Sequence, residues 1–119
     1  MNIMDRIDTL FSCGFSTESD YDDLCRIVDV FDKRCGIELT EENAGIMITH
    51  MASAFRRNRT DETVEPLDAK VFAEAMSSEA FPLAESIVDE IIGSISNAVS
   101  ENEKEFFLIH ICSLLEEES

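Results

Sequence analysis

Apolar residues recur at helical spacing along almost the whole chain. In the first segment, Ile3, Ile7, Leu10 and Phe11 lie at i, i+4, i+7 and i+8, which is one face of an α-helix. Comparable stripes begin at Tyr21, Ala44, Val71, Leu83 and Phe106. No segment shows the strict alternation typical of a strand. The pattern predicts an all-α fold, a single compact bundle of about five to six helices that forms one domain over residues 1–119.

Capping residues place the ends of these predicted helices. Lys33 and Arg34 precede Gly36, which is typical of a helix C-terminus. Thr40 and the two acidic residues after it predict the start of a third helix that runs to about Arg57. Pro82 suits the first turn of a fifth helix, and the S-x-x-E box at 100–103 opens the last one. The polar stretch 58–66 is predicted to be the longest loop.

Two details of packing follow from the same patterns. The fourth helix is predicted over 67–76, with Val71, Phe72 and Met76 directed inward. Gly93 lies inside the fifth helix, where glycine costs about 1 kcal/mol relative to alanine. Its presence there predicts close packing against a neighbouring helix.

The charge balance excludes several classes of partner. The 119 residues include 26 acidic and 9 basic side chains, a net charge of −17. Because nucleic acids and anionic membranes are bound through basic surfaces, direct binding to either is not expected. No apolar stretch reaches the length of a membrane span, and the N-terminus lacks the features of a signal peptide. We therefore expect a soluble, cytoplasmic protein whose one dense basic run is Arg56, Arg57 and Arg59.

The four cysteines show no metal-binding or redox spacing. Because no two of them form a CxxC pair, neither a zinc ribbon nor a thioredoxin-like site is indicated. They lie among apolar helical residues, which favours reduced core thiols and the cytoplasm, although the even number also permits two disulfides. Met47 and Phe107 occupy the positions three residues before the two histidines, so the Glu-x-x-His spacing of helical metal centres is absent. Neither a metal nor another cofactor is predicted.

The two histidines, His50 and His110, are the candidate functional residues. Arg57 lies seven residues after His50 on the same helix face, with Arg56 nearly so, and a guanidinium beside an imidazole suits a phosphate carried by that imidazole. The arginines could equally stabilise the end of their helix. Glu103 lies seven residues before His110 on the same face, where a carboxylate would orient the ring. The alternative is that Glu103 serves only the capping box.

These residues resemble the phosphotransferase-system regulation domain, abbreviated PRD. The segment 50–57 fits the H-x6-R element of that family, with Arg57 as the arginine. The segment 102–110 is similar to the acidic and apolar approach to the second histidine, and Phe81 with Pro82 resembles the opening of the helix before it. The resemblance spans about residues 20–115.

The resemblance implies a non-enzymatic, bacterial module of transcription regulation. In the family, carrier proteins of the sugar phosphotransferase system phosphorylate the histidines, and phosphorylation changes dimer packing. Here His50 and His110 would be the phosphoacceptors, Arg57 and Arg56 would support the phosphate, and Glu103 would orient a ring. Family members usually have an RNA- or DNA-binding module, and this chain is expected to be a stand-alone domain that acts through protein contacts as a homodimer.

Two rival interpretations stay open from the sequence. One is a helical interaction or dimerisation module in which the histidines are purely structural. The other, with less support, is a small enzyme or metal protein, because a nucleophile and a base could meet across helices.

Overall fold

A computed structural model describes residues 2–118 and consists of helices joined by loops. The helices are α1 (Ile3–Ser12), α2 (Glu18–Cys35), α3 (Glu41–Arg59), α4 (Ala69–Met76), α5 (Phe81–Ser94) and α6 (Glu101–Glu118). Within this range there is no strand, only an isolated bridge between Asn2 and Thr40. The all-α prediction is confirmed. No helix in residues 2–118 has the length and apolarity that crossing a membrane requires.

The capping residues explain where the longest helices begin and end. Thr17 and Thr40 each accept from the backbone three residues later, while Asp20 and Asn43 accept from the backbone of the capping threonine. Gly36 ends α2 with φ +65°, a conformation that favours glycine. The cap at Thr40 and the end at Gly36 were predicted from the sequence.

The core lies where the helices meet, and α2, α3 and α6 each pack against three other helices. α3 packs against α1, α2 and α6, while α6 packs against α3, α4 and α5. Phe31, Phe55 and Phe107 are fully buried and come from α2, α3 and α6. Burial of one such side chain contributes roughly 1.5–3 kcal/mol, so these contacts fix the position of α3 relative to α6.

The structure corrects three details predicted from the sequence. In α4 only Phe72 packs on the core, while Val71 and Met76 are exposed, because this short helix lies mainly against one neighbour, α6. A side chain at Gly93 would meet no atom within 4 Å, so the expected close packing there is wrong. All four cysteines are free; Cys112 is buried, but Cys13 is exposed and is not a core thiol.

Two buried carboxylates of α2 tie the loops to the bundle. Asp23 accepts hydrogen bonds from the backbone and side chains of Ser96 and Asn97, at 2.7–3.1 Å. Asp20 accepts from Arg59 and from Asn97. The connection between α5 and α6 is thereby held against α2, which sets the point at which α6 begins.

We expect Asp23→Asn to destabilise the protein by about 2 kcal/mol, because an amide cannot accept all of these bonds. Burial alone raises the pKa of Asp23, but the bonds from Ser96 and Asn97 outweigh it and hold the pKa below its usual range. The stabilisation is therefore complete above about pH 4 and is lost as pH falls through the folded pKa. Urea unfolding at neutral and acid pH measures both effects.

Asp22→Asn is the matched control, since Asp22 is the exposed neighbour of Asp23. A loss for Asp23→Asn no greater than that of the control would contradict the structural role of this carboxylate.

Candidate functional site: a histidine pair between two helices

The two histidines are in direct contact. The Nδ1 of His50 lies 2.7 Å from the Nε2 of His110, and the ring centroids are 4.7 Å apart in an edge-to-face arrangement. His50 belongs to α3 and His110 to α6. We call these two side chains the histidine pair. The sequence marked both residues as candidates but gave no indication that they touch.

The two rings of the histidine pair have different surroundings. His50 is exposed and its ring lies 6.1 Å from that of Phe106, whereas His110 is partly buried. Burial, and to a smaller extent the charge of His50, lowers the pKa of His110. Both effects disfavour a second proton on the pair, because two imidazolium rings at this distance repel each other.

The hydrogen bond between the two neutral rings leaves one ring nitrogen of the pair with an unused lone pair. When both rings are neutral, one ring donates its N–H to the other. If His50 donates, its own Nε2 has a free lone pair; if His110 donates, the Nδ1 of His110 has it. The histidine pair therefore presents a single nucleophilic nitrogen at a time, on one ring or the other.

A second contact joins the same two helices. Arg57 of α3 donates from Nε and Nη2 to the carboxylate of Glu103 of α6, at 2.9 and 3.0 Å. Arg57 lies seven residues after His50 and Glu103 seven residues before His110, so α3 and α6 run antiparallel with two facing pairs. A seven-residue step corresponds to two helical turns, about 10.5 Å. The ion pair thus fixes the register that brings the imidazoles together.

This arrangement differs from the roles predicted for Arg57 and Glu103. The Glu103 carboxylate binds Arg57, while the Nε2 of His110 faces His50, so the ring is oriented by the other histidine. The backbone N–H of Glu103 donates to Ser100, as the predicted cap requires. The two seven-residue spacings do place these residues on facing sides of α3 and α6. However, the contacts run between the helices, from Arg57 to Glu103 and from His50 to His110, and not along either helix.

The basic run 56–59 does not form one anion site. The Arg56 guanidinium lies 4.8 Å above the centre of the Phe15 ring, and Arg59 binds the buried Asp20. The sequence could not show this separation, because Phe15 and Asp20 lie in other parts of the chain. Arg56 is therefore directed away from the role that the sequence suggested for it.

Sequence reasoning missed Arg6, which lies beside His50. Arg6 of α1 lines a hollow of about 300 Å³ together with Ile46, Thr49, His50 and Ser53 of α3. The α3 residues share one face at helical spacing, and we call this feature the His50 hollow. No pattern within α3 could have indicated that a cation from α1 reaches this face. Residues 2–118 contain no group of three or more side chains suited to hold a metal.

Comparison with known proteins identifies the family. A family model described as PRD domain matches residues 26–114. The chain belongs to the PRD family. It is also 25% identical over 109 residues to the uncharacterized protein YhfY of Escherichia coli (strain K12). The aligned residues make up 92% of this chain and 91% of that protein. No solved structure gives a significant match.

PRD domains are regulatory rather than catalytic. The matched residues include the histidine pair and the Arg57–Glu103 ion pair. They begin inside α2, so α1 and Arg6 lie outside the match. The His50 hollow is therefore formed partly by a segment that the family match does not cover.

We expect Glu103→Gln to destabilise this PRD domain by about 2 kcal/mol, because it leaves the half-buried Arg57 guanidinium without its charged partner. Urea unfolding measures the change. Glu101→Gln is the control, since Glu101 is exposed in the same first turn of α6. Equal losses in the two variants would show that the ion pair does not hold α3 to α6.

Proposed function

We propose that this chain is a regulatory module whose histidine pair accepts a phosphoryl group from carrier proteins of the sugar phosphotransferase system. The observation that supports it is the contact between His50 and His110, at an accessible position of a PRD domain. The pair supplies a neutral imidazole with a lone pair, which is the form that attacks phosphorus. No further cofactor is needed for this step.

In the proposed transfer, the N–P bond of the carrier's phosphohistidine breaks as a new N–P bond forms on the outward nitrogen of the pair. The carrier leaves with its ring nitrogen free. His50 is the first acceptor because its ring is exposed, and His110 accepts when the lone pair is on its own ring. Since the hydrogen bond leaves one such nitrogen at a time, we expect one phosphoryl group per chain.

The proposed output is a change in protein contacts, with a homodimer as the first candidate. Ile46 lies one turn before His50 on the same face and is 78% exposed, so it is available for contact with a second copy. A phosphoryl group on His50 adds negative charge beside this apolar residue, which opposes the approach of a second copy. The setting that we propose is the cytoplasm, where the four thiols stay reduced.

The direct test incubates the purified protein with a phosphorylated carrier protein and follows the intact mass. We expect wild type to gain one acid-labile phosphoryl group, because N–P bonds are hydrolysed in acid. His50→Ala removes most of the label, and His110→Ala retains label on His50. Sedimentation of the labelled and unlabelled protein then reports the change in self-association.

Ser12→Ala is a matched control, since this exposed hydroxyl lies at the end of α1 and outside the site. Its labelling should equal that of wild type. A folded protein that takes no label on either histidine would refute the proposal and favour an interaction module with structural histidines.

A further inference from the structure

The His50 hollow places one cation, Arg6, beside the accessible ring of His50, on a lining that is otherwise largely apolar. Its α3 wall presents the hydroxyls of Thr49 and Ser53 on either side of His50 in sequence. Arg6 closes the hollow from α1 and donates from Nη1 to the Thr49 Oγ1 at 3.1 Å. The Thr49 hydroxyl donates its own proton to the Gly45 carbonyl at 3.0 Å. The donors that suit the three acceptor oxygens of a phosphoryl group are therefore the Arg6 guanidinium and the Ser53 hydroxyl.

The arginines of the bundle differ in how firmly they are held. Arg57 is bound to a Glu103 side chain that is only 10% exposed, and Arg59 to an Asp20 side chain that is 1% exposed. To release either arginine would leave a buried carboxylate without its partner, which is costly. These two guanidiniums are therefore not free to follow a phosphate.

Arg6 is held by a contact that is more open to solvent. It forms a two-point ion pair with Glu41, whose side chain is 28% exposed: its Nε donates to the Glu41 Oε2 at 3.1 Å, and its Nη2 donates to Oε1. Because water can solvate both groups after they separate, releasing Arg6 costs less than releasing Arg57 or Arg59. A phosphoryl group carries more charge than a carboxylate, so it competes for Arg6 at small cost.

We propose that Arg6 binds the phosphoryl group on His50 and gives up Glu41 to do so. This inference rests on the proposed function, since it requires a phosphoryl group on the outward Nε2 of His50. The Thr49 hydroxyl accepts from Arg6 and donates to the Gly45 carbonyl, so it holds the guanidinium on the face of α3 that carries His50. This exchange breaks the contact between Arg6 of α1 and Glu41 at the start of α3. Phosphorylation of His50 would therefore change how α1 is held, and α1 lies outside the family match.

The test uses phosphoramidate, a small chemical phosphoryl donor, so that it does not depend on a carrier protein. The P–N bond of the reagent breaks, ammonia leaves, and an N–P bond forms on the imidazole. Phosphorus NMR then gives the pKa of the phosphoryl group on His50 in each variant. Mass spectrometry of peptides at neutral pH identifies the labelled residue.

We expect the phosphoryl pKa to be lower in wild type than in Arg6→Gln by about half a unit or more, because a nearby cation favours the more negative form. Arg6→Lys keeps the charge but not the planar fork, and it should restore part of the shift. Glu41→Gln removes the competing carboxylate, so its phosphoryl pKa should fall below that of wild type.

Arg34→Gln is the matched control. Arg34 also joins two helices, binds Glu90 and the hydroxyl of Ser86, and is 35% exposed where Arg6 is 36%. Its loss should leave the phosphoryl pKa as in wild type. Circular dichroism of the variants verifies that each is folded.

An Arg6→Gln variant with the wild-type phosphoryl pKa would overturn the inference, as would phosphoramidate label that avoids His50. A shift produced by Arg57→Gln and not by Arg6→Gln would return the phosphate to the site suggested by the sequence. If carrier proteins give no label but Arg6→Gln changes the phosphoryl pKa, the proposed function fails while the anion site remains.

Discussion

The packing of α6 against α3 is the contact on which the site depends. Phe55 and Phe107 bury their rings where these helices meet the core, and Arg57 binds Glu103 at the same level of the bundle. Because the helices are antiparallel, this second contact determines which residues face each other two turns away. His50 meets His110 at that point, and neither ring could be placed by its own helix alone.

Much of the helical architecture could be predicted because it depends on local chemistry. The cap at Thr40 and the left-handed residue at Gly36 act within a few residues, and both lie where the sequence indicated. The prediction for the fourth helix was less accurate. Val71 is exposed because α4 packs mainly against one neighbour, α6, and the sequence does not show this. A periodic stripe reports the amphipathic nature of a helix, but not whether another element is present to cover it.

The site was predictable in its members and not in its connections. His50 and His110 were recognised as the two histidines of the chain, and Arg57 and Glu103 from their spacing of seven residues to them. All four lie at the contact of α3 and α6. The sequence placed each pair within one helix, because periodicity gives no information on which helix faces which. Arg6 was missed for the same reason.

The large negative charge explains why so few cations are free to act. Four arginines, Arg6, Arg34, Arg57 and Arg59, bind carboxylates of other helices, and Arg26 binds Asp23 of its own helix. These ion pairs differ in how deeply the carboxylate is buried, and this burial decides how readily the arginine can be released. In the exchange that we propose, Arg6 can serve a phosphate because its partner Glu41 is partly exposed and because Arg6 lies beside His50.

The central claim is that the two imidazoles form one hydrogen-bonded unit, and side-chain nitrogen NMR over a pH titration tests it most directly. Groups that interact this closely take up protons in two steps that belong to the pair. We expect the nitrogens of His110 to report more than one step. His110 should also take up its proton below the ordinary histidine range, because burial and His50 lower its pKa. A single-step curve for His110 at the usual value, about 6.5, would contradict the account.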